Sequence, residues 1–139
     1  MSYYDSKVSR FYEFDDLFDT AKKELQNGKK RTHWMWYFFP QLRGMEDTEK
    51  GYYYGLDGYE EARDYYKDRK LRKRLVTLTK LLLKEYVVFS YMDFRRLKAS
   101  MTLFYIVSGK YLFKKVIDTY FDGEFDRRTE KWNSEQNKY

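Results

Sequence analysis

The chain has no cysteine, one proline, one histidine and seven glycines among 139 residues. Without thiols there is no disulfide framework, no thiolate metal site and no cysteine nucleophile. A lone histidine cannot form the histidine pair of a zinc protease. Any metal would have to be held by carboxylates, and no spacing singles out such a set, so neither a metal nor another cofactor is expected. No window reaches the roughly 18 apolar residues of a membrane span, and the amino end lacks an apolar signal run. The most apolar longer run, LLLKEYVVF, is broken by Lys84 and Glu85. Serine elbows, phosphate loops and dinucleotide glycine patterns are also missing. The expected location is cytoplasmic, where a reducing environment harms nothing in a thiol-free chain.

Aromatic residues are abundant. Sixteen tyrosines, eleven phenylalanines and three tryptophans make up 22% of the chain, and Lys plus Arg exceed Asp plus Glu by 28 − 22 = 6. Much of the tyrosine must be half-buried, ring packed and hydroxyl near water. The length suits one domain over 1–139, with a core from about 10 to 131 and frayed ends.

Periodicity points to helices. Phe11, Phe14, Leu17, Phe18, Ala21 and Leu25 share a face, with acids early, lysines late and Asn27-Gly28 as a stop. THWMWYFF reads as a short helix capped by Thr32 and ended by Pro40. QLRGMEDTEKGYYYGLD carries three glycines and reads as loops around one short piece, suited to a mobile lid. A helix over 58–66 follows. Asp68 then caps another reaching about Tyr86, with Leu71, Leu75, Leu78 and Leu82 inward and Arg69, Lys73, Lys80 and Lys84 outward. Asp93 is the expected cap of a nearly all-apolar central helix ending at Ser108-Gly109, and KYLFKKVIDTYF forms one more. The polar tail offers Trp132 as an anchor. The fold class is therefore all-α, a compact orthogonal bundle of about five to seven helices with short loops.

The stretch THWMWYFFPQLRG, residues 32–44, concentrates the unusual residues. His33 can be a structural ring, a proton-transfer group near neutrality or a ligand contact. Trp34 and Trp36 splay by about 200° in a helix, so one packs inward while the other can edge a cleft. Gln41 and Arg43 beyond the proline are placed to hydrogen-bond an anion. Lys98 and Thr102, four apart, face the same way. Between 67 and 84 stand eight Lys or Arg and one Asp, a face that can also meet phosphates.

HWMWYFFPQLRG at 33–44, LKASMTLF at 97–104 and FDGEFDRRT at 121–129 resemble the small bacterial family known as domain of unknown function 1810, over about Phe11 to Thr129. That resemblance implies a compact, mostly α-helical domain. It directs attention to His33, Trp34, Trp36, Pro40, Gln41, Gly44, Lys98, Ser100, Met101 and Thr102. The acidic loop typical before LK is reduced here to Tyr91-Met92-Asp93. A distant likeness to helical domains that bind or cleave ADP-ribose derivatives suggests a ligand class by analogy.

The expected function is binding of an anionic small molecule, a nucleotide or ADP-ribose derivative, in a cleft between 33–44 and the helix beginning at Asp93. Trp34, Trp36, Gln41, Arg43, Lys98 and Thr102 would contact the ligand. If the chain is an enzyme, the reaction is N-glycosidic hydrolysis, with His33 moving a proton and Asp93 or Asp126 orienting it or activating water. The rival is a nucleic-acid or protein adaptor using Arg69, Lys73, Lys80 and Lys84. Oligomeric state is not encoded in any of these features.

Overall fold

The computed structural model describes residues 8–136, with side chains described as far as Trp132. The frayed ends expected from the sequence lie largely outside those residues. A 3-10 turn at Val8–Phe11 leads into α1 (Asp15–Gln26), α2 (Met35–Phe38), α3 (Glu49–Tyr54), α4 (Gly58–Lys67), α5 (Arg69–Lys84), α6 (Tyr91–Ser108), α7 (Tyr111–Phe121) and α8 (Arg127–Gln136). The fold is a compact all-α orthogonal bundle with no strand among the described residues. Its helix count, eight among those residues, exceeds the expected five to seven because α2 and α3 are very short and α8 was unforeseen.

α6 is the central element. Its buried stretch Ala99–Phe104 packs between α7, α4 and α8. α5 packs Leu71, Leu75, Leu78 and Leu82 against α1, α4 and α7 and leaves Arg69, Lys73, Lys80 and Lys84 exposed. No helix among the described residues is long and apolar enough to cross a membrane.

Three boundaries differ from expectation, each because a side chain takes up backbone groups. The first helix begins at Asp15 rather than near Phe11. The buried Arg74 guanidinium pairs with Asp15, and its Nη1 donates to the carbonyls of Phe11 and Glu13, both at 3.1 Å, which a helix would have needed. Thr32 does not cap α2; its hydroxyl donates to Glu24 Oε2 at 2.6 Å, and the helix starts only after Trp34. Asp93 does not cap α6. Ser90 does, its Oγ accepting from the Asp93 amide at 3.3 Å. The tail forms α8, capped by Asp126, whose Oδ2 accepts from the Thr129 amide at 2.9 Å and hydroxyl at 2.6 Å.

The fully buried Glu61 of α4 accepts from Arg10 Nη1 at 2.8 Å, Arg10 Nη2 at 3.1 Å and the Asp57 amide at 2.8 Å. This pair fastens the amino-terminal turn to α4. Glu61→Ala leaves a buried guanidinium without its counter-charge, so a loss of about 3–5 kcal/mol is expected. Urea unfolding will show it as a lower midpoint at unchanged slope, and Arg10→Met with Glu61→Leu together should recover most of the loss.

Candidate functional site

Pro40 ends α2, and the chain beyond it runs beside Leu56. The Arg43 amide donates to Leu56 O at 2.8 Å and the Leu56 amide to Gln41 O at 2.9 Å. This short parallel bridge places Gln41–Asp47 opposite the first turns of α6. Between them lies a cleft of about 230 Å³. Gln41, Met45, Glu46 and Asp47 line it from the loop, Met92, Arg95, Arg96 and Ala99 from α6, and Asp126 and Arg128 from the start of α8.

Glu46 organises the wall. Its Oε1 accepts from Arg96 Nε at 2.7 Å and Gln41 Nε2 at 3.0 Å. Its Oε2 accepts from Thr48 Oγ1 at 2.8 Å, Arg96 Nη2 at 3.1 Å and Trp36 Nε1 at 3.4 Å. Arg96 also donates through Nη1 to Asp93 Oδ1 at 2.8 Å, while Asp93 Oδ2 meets Lys30 Nζ at 2.7 Å. The Arg96 guanidinium lies 4.9 Å from the Trp36 ring centre, and Lys50 approaches the same ring at 5.2 Å. Burial alone pushes the Glu46 carboxyl up, but hydrogen bonds from Arg96 and Thr48 and the Arg96 charge outweigh it and hold the group below its ordinary value. Burial likewise opposes charge on Arg96, and Glu46 and Asp93 overcome it.

Close packing keeps this carboxylate in place. A Cβ on Gly51 would sit 2.3 Å from Glu46 Cγ, so only glycine lets α3 lie against it. The 41–57 segment, expected as a mobile lid, is held by Glu46, by the Leu56 bridge and by Arg128, whose Nη1 donates to Met45 O at 3.1 Å and Nη2 to Gly44 O at 3.3 Å.

Of the residues singled out in the sequence, Gln41 and Asp126 line the cleft and Trp36 supports it through Glu46. Trp34 is completely buried, and its indole N–H donates to Glu24 Oε1 at 2.9 Å; it is a core residue with no face for a ligand. His33 is exposed beside it, lies outside the cleft lining, and no hydrogen bond or ion pair engages it among the described residues. Asp93 is taken up by Lys30 and Arg96 and does not meet His33. Arg43 turns to Tyr52, donating from Nε to its carbonyl at 3.0 Å. Lys98 turns to Glu124 at 3.4 Å and lies over Phe121. Thr102 is buried; its hydroxyl donates to Lys98 O at 2.8 Å and accepts from the Asp126 amide at 2.9 Å. Ser100 is buried, its hydroxyl without a hydrogen-bond partner among the described residues, and Met101 is core. Among the described residues no group of three or more acids or histidines comes together to hold a metal.

The residues not anticipated are Glu24, Glu46, Arg96 and Arg128. Glu24 accepts from the Arg31 and Thr32 amides at 2.8 and 3.2 Å as well as from Thr32 and Trp34. It falls on the apolar face of α1, three residues after Ala21, and an acid on such a stripe is a readable sign of a buried clamp. Glu46 has no equivalent sign, since its main partner lies 50 positions away.

A family model described as "Protein of unknown function (DUF1810)" matches residues 5–132. The crystal structure of a conserved hypothetical protein from Mycobacterium tuberculosis is similar, with a TM-score of 0.84 and 34% identity, over 88% of this chain and 92% of that one. No curated protein matches the chain.

Replacing Glu46 with Gln turns an amide toward the Arg96 donors and should lower stability by about 3 kcal/mol at neutral pH. Because the folded carboxyl is held below its unfolded value of about 4.3, its stabilisation is full above that pH and is lost as pH falls through the lower folded value. Urea midpoints of the native protein should therefore drop below about pH 4.3, and Glu46→Gln should show a shallower drop.

Proposed function

The chain belongs to the DUF1810 family of proteins of unknown function, and we propose that it is a binding domain for an anionic small molecule held in the cleft between Gln41–Asp47, α6 and α8. The observation that carries this reading is the division of labour among the arginines. Arg96 has its charge paired with two carboxylates and serves as wall, whereas Arg95 is exposed on the rim and forms no ion pair among the described residues. Arg128 holds two carbonyls and keeps further donor capacity. Arg95 and Arg128 would grip a phosphate, and Met45 and Met92 offer soft apolar contact to a planar ring. Asp47 on the loop side and Asp126 at the start of α8 suit the hydroxyls of a ribose.

The size favours a modest ligand. About 230 Å³ is below the roughly 300–1,000 Å³ of drug-sized pockets, so the cleft suits a mononucleotide or one phosphoribosyl end of an ADP-ribose derivative, with the remainder outside. Recognition is better supported than N-glycosidic hydrolysis. Of the three groups considered for that reaction, His33 is away from the lining and Asp93 is engaged elsewhere, leaving Asp126. We place the activity in the cytoplasm, where phosphorylated nucleosides abound.

Calorimetric titration with AMP, ADP-ribose and inorganic phosphate tests this. Binding of at least one is expected, weakened about tenfold or more by Arg95→Ala, the loss of one charge-assisted contact. Absence of binding with all three, or equal binding by the variant, would overturn the reading.

The exposed cations of α5 support a second reading. Arg69, Lys73, Lys80 and Lys84 share the outward face, and none has an ion-pair partner among the described residues. If they hold nucleic acid, reversing Lys73 and Lys80 to Glu should abolish a gel shift, and the wild-type shift should weaken steeply between low and physiological salt. A salt-insensitive shift would assign the contact to something other than phosphates.

A further inference from the structure

Four of the eight large hydrophobic side chains exposed among the described residues fall between positions 86 and 92: Tyr86, Val88, Tyr91 and Met92, at 60%, 53%, 73% and 49% exposure. Exposed apolar residues scattered singly need no explanation, whereas a cluster of this kind marks a contact surface. The backbone holds it in place. The Val88 amide donates to Gly28 O at 2.9 Å and Val88 O accepts from the Lys30 amide at 3.0 Å, while the Val87 amide donates to the Tyr120 hydroxyl at 3.0 Å. Tyr86 stacks on Tyr120 with ring centres 4.6 Å apart. The outcome is an open hollow of about 370 Å³ walled by Tyr86, Val88, Phe89, Tyr91 and Phe94. A second hollow of about 270 Å³, between Leu25, Leu81, Lys84 and Glu85, adjoins it in sequence at Glu85–Tyr86.

We propose that this face docks a partner protein through an extended acidic peptide segment that inserts an apolar side chain into the hollow. Charge argues for the occupant. Lys29 is the bridge partner of Val88, Lys84 borders the second hollow and Arg95 lies over Tyr91; all three are exposed and form no ion pair among the described residues. Facing them are Glu85, which is exposed, and Asp93, which is already paired with Lys30 and Arg96. A second copy of this chain, itself carrying a net charge of +6, would bring like charges together across a two-fold contact. An extended segment, whose side chains point alternately in and out, can seat one apolar residue in the hollow and turn its flanking acids toward Lys29 and Lys84.

The test is selection from a displayed random-peptide library on the intact protein, with Val88→Glu and Lys84→Glu as counter-targets. Val88 is exposed and bonded only through its backbone, so Val88→Glu should keep the native circular dichroism and melting temperature. Both substitutions avoid Met92 and Arg95, which line the cleft, so this proposal and the small-molecule reading fail separately. The expected result is enrichment of peptides with Asp or Glu around one large apolar residue, binding about tenfold or more weaker to Val88→Glu, as for loss of an interface anchor, and measurably weaker to Lys84→Glu. Enrichment independent of Val88, enrichment of basic peptides, or no enrichment would overturn the proposal. So would a Val88-dependent dimer in sedimentation, or Val88-dependent binding to phosphatidylserine vesicles without peptide enrichment.

Discussion

The Glu46–Arg96 ion pair is the constraint from which the candidate site follows. Arg96 reaches from α6 toward the loop beyond Pro40 and meets a carboxylate that also gathers Gln41, Thr48 and Trp36. Without that carboxylate, α6 would present a half-buried guanidinium to an unsupported loop. Two half-buried ionised groups are held here because each offsets the other's charge and most of their donors and acceptors are matched. That matching is what shapes the wall of the cleft.

The same solution recurs elsewhere in the fold. Glu24 organises the turn after α1, and Glu61 fastens the amino-terminal segment to α4. In each case burial works against the charged form and hydrogen bonds more than restore it. Helices satisfy their own backbone groups, but the irregular segments between these helices have amides to satisfy. Buried glutamates supply acceptors where a sheet would have supplied a neighbouring strand.

The long helices were legible because their apolar residues recur at helical spacing: Leu71, Leu75, Leu78 and Leu82 on α5, and the late apolar run of α6. α8 was not, since RRTEKWNSEQ offers Trp132 as its one apolar residue and leaves no periodicity to follow. In the site, the position of Gln41 beyond a helix-ending proline was readable. The roles of Arg96 and Arg128 were not, because each depends on contacts 50 or more positions away. Asp93 shows the limit well: its place near a helix start suggested a cap, and only the fold reveals Lys30 and Arg96 sharing its carboxylate, one on each oxygen.

The Thr102 hydroxyl joins the α6 backbone at Lys98 to the chain entering α8 at Asp126. Arg128 then ties that same end of α8 to the carbonyls of Gly44 and Met45. The two sides of the cleft are thus braced at a set separation, like jaws joined by a strut. An opening braced in this way keeps its breadth without any swinging part.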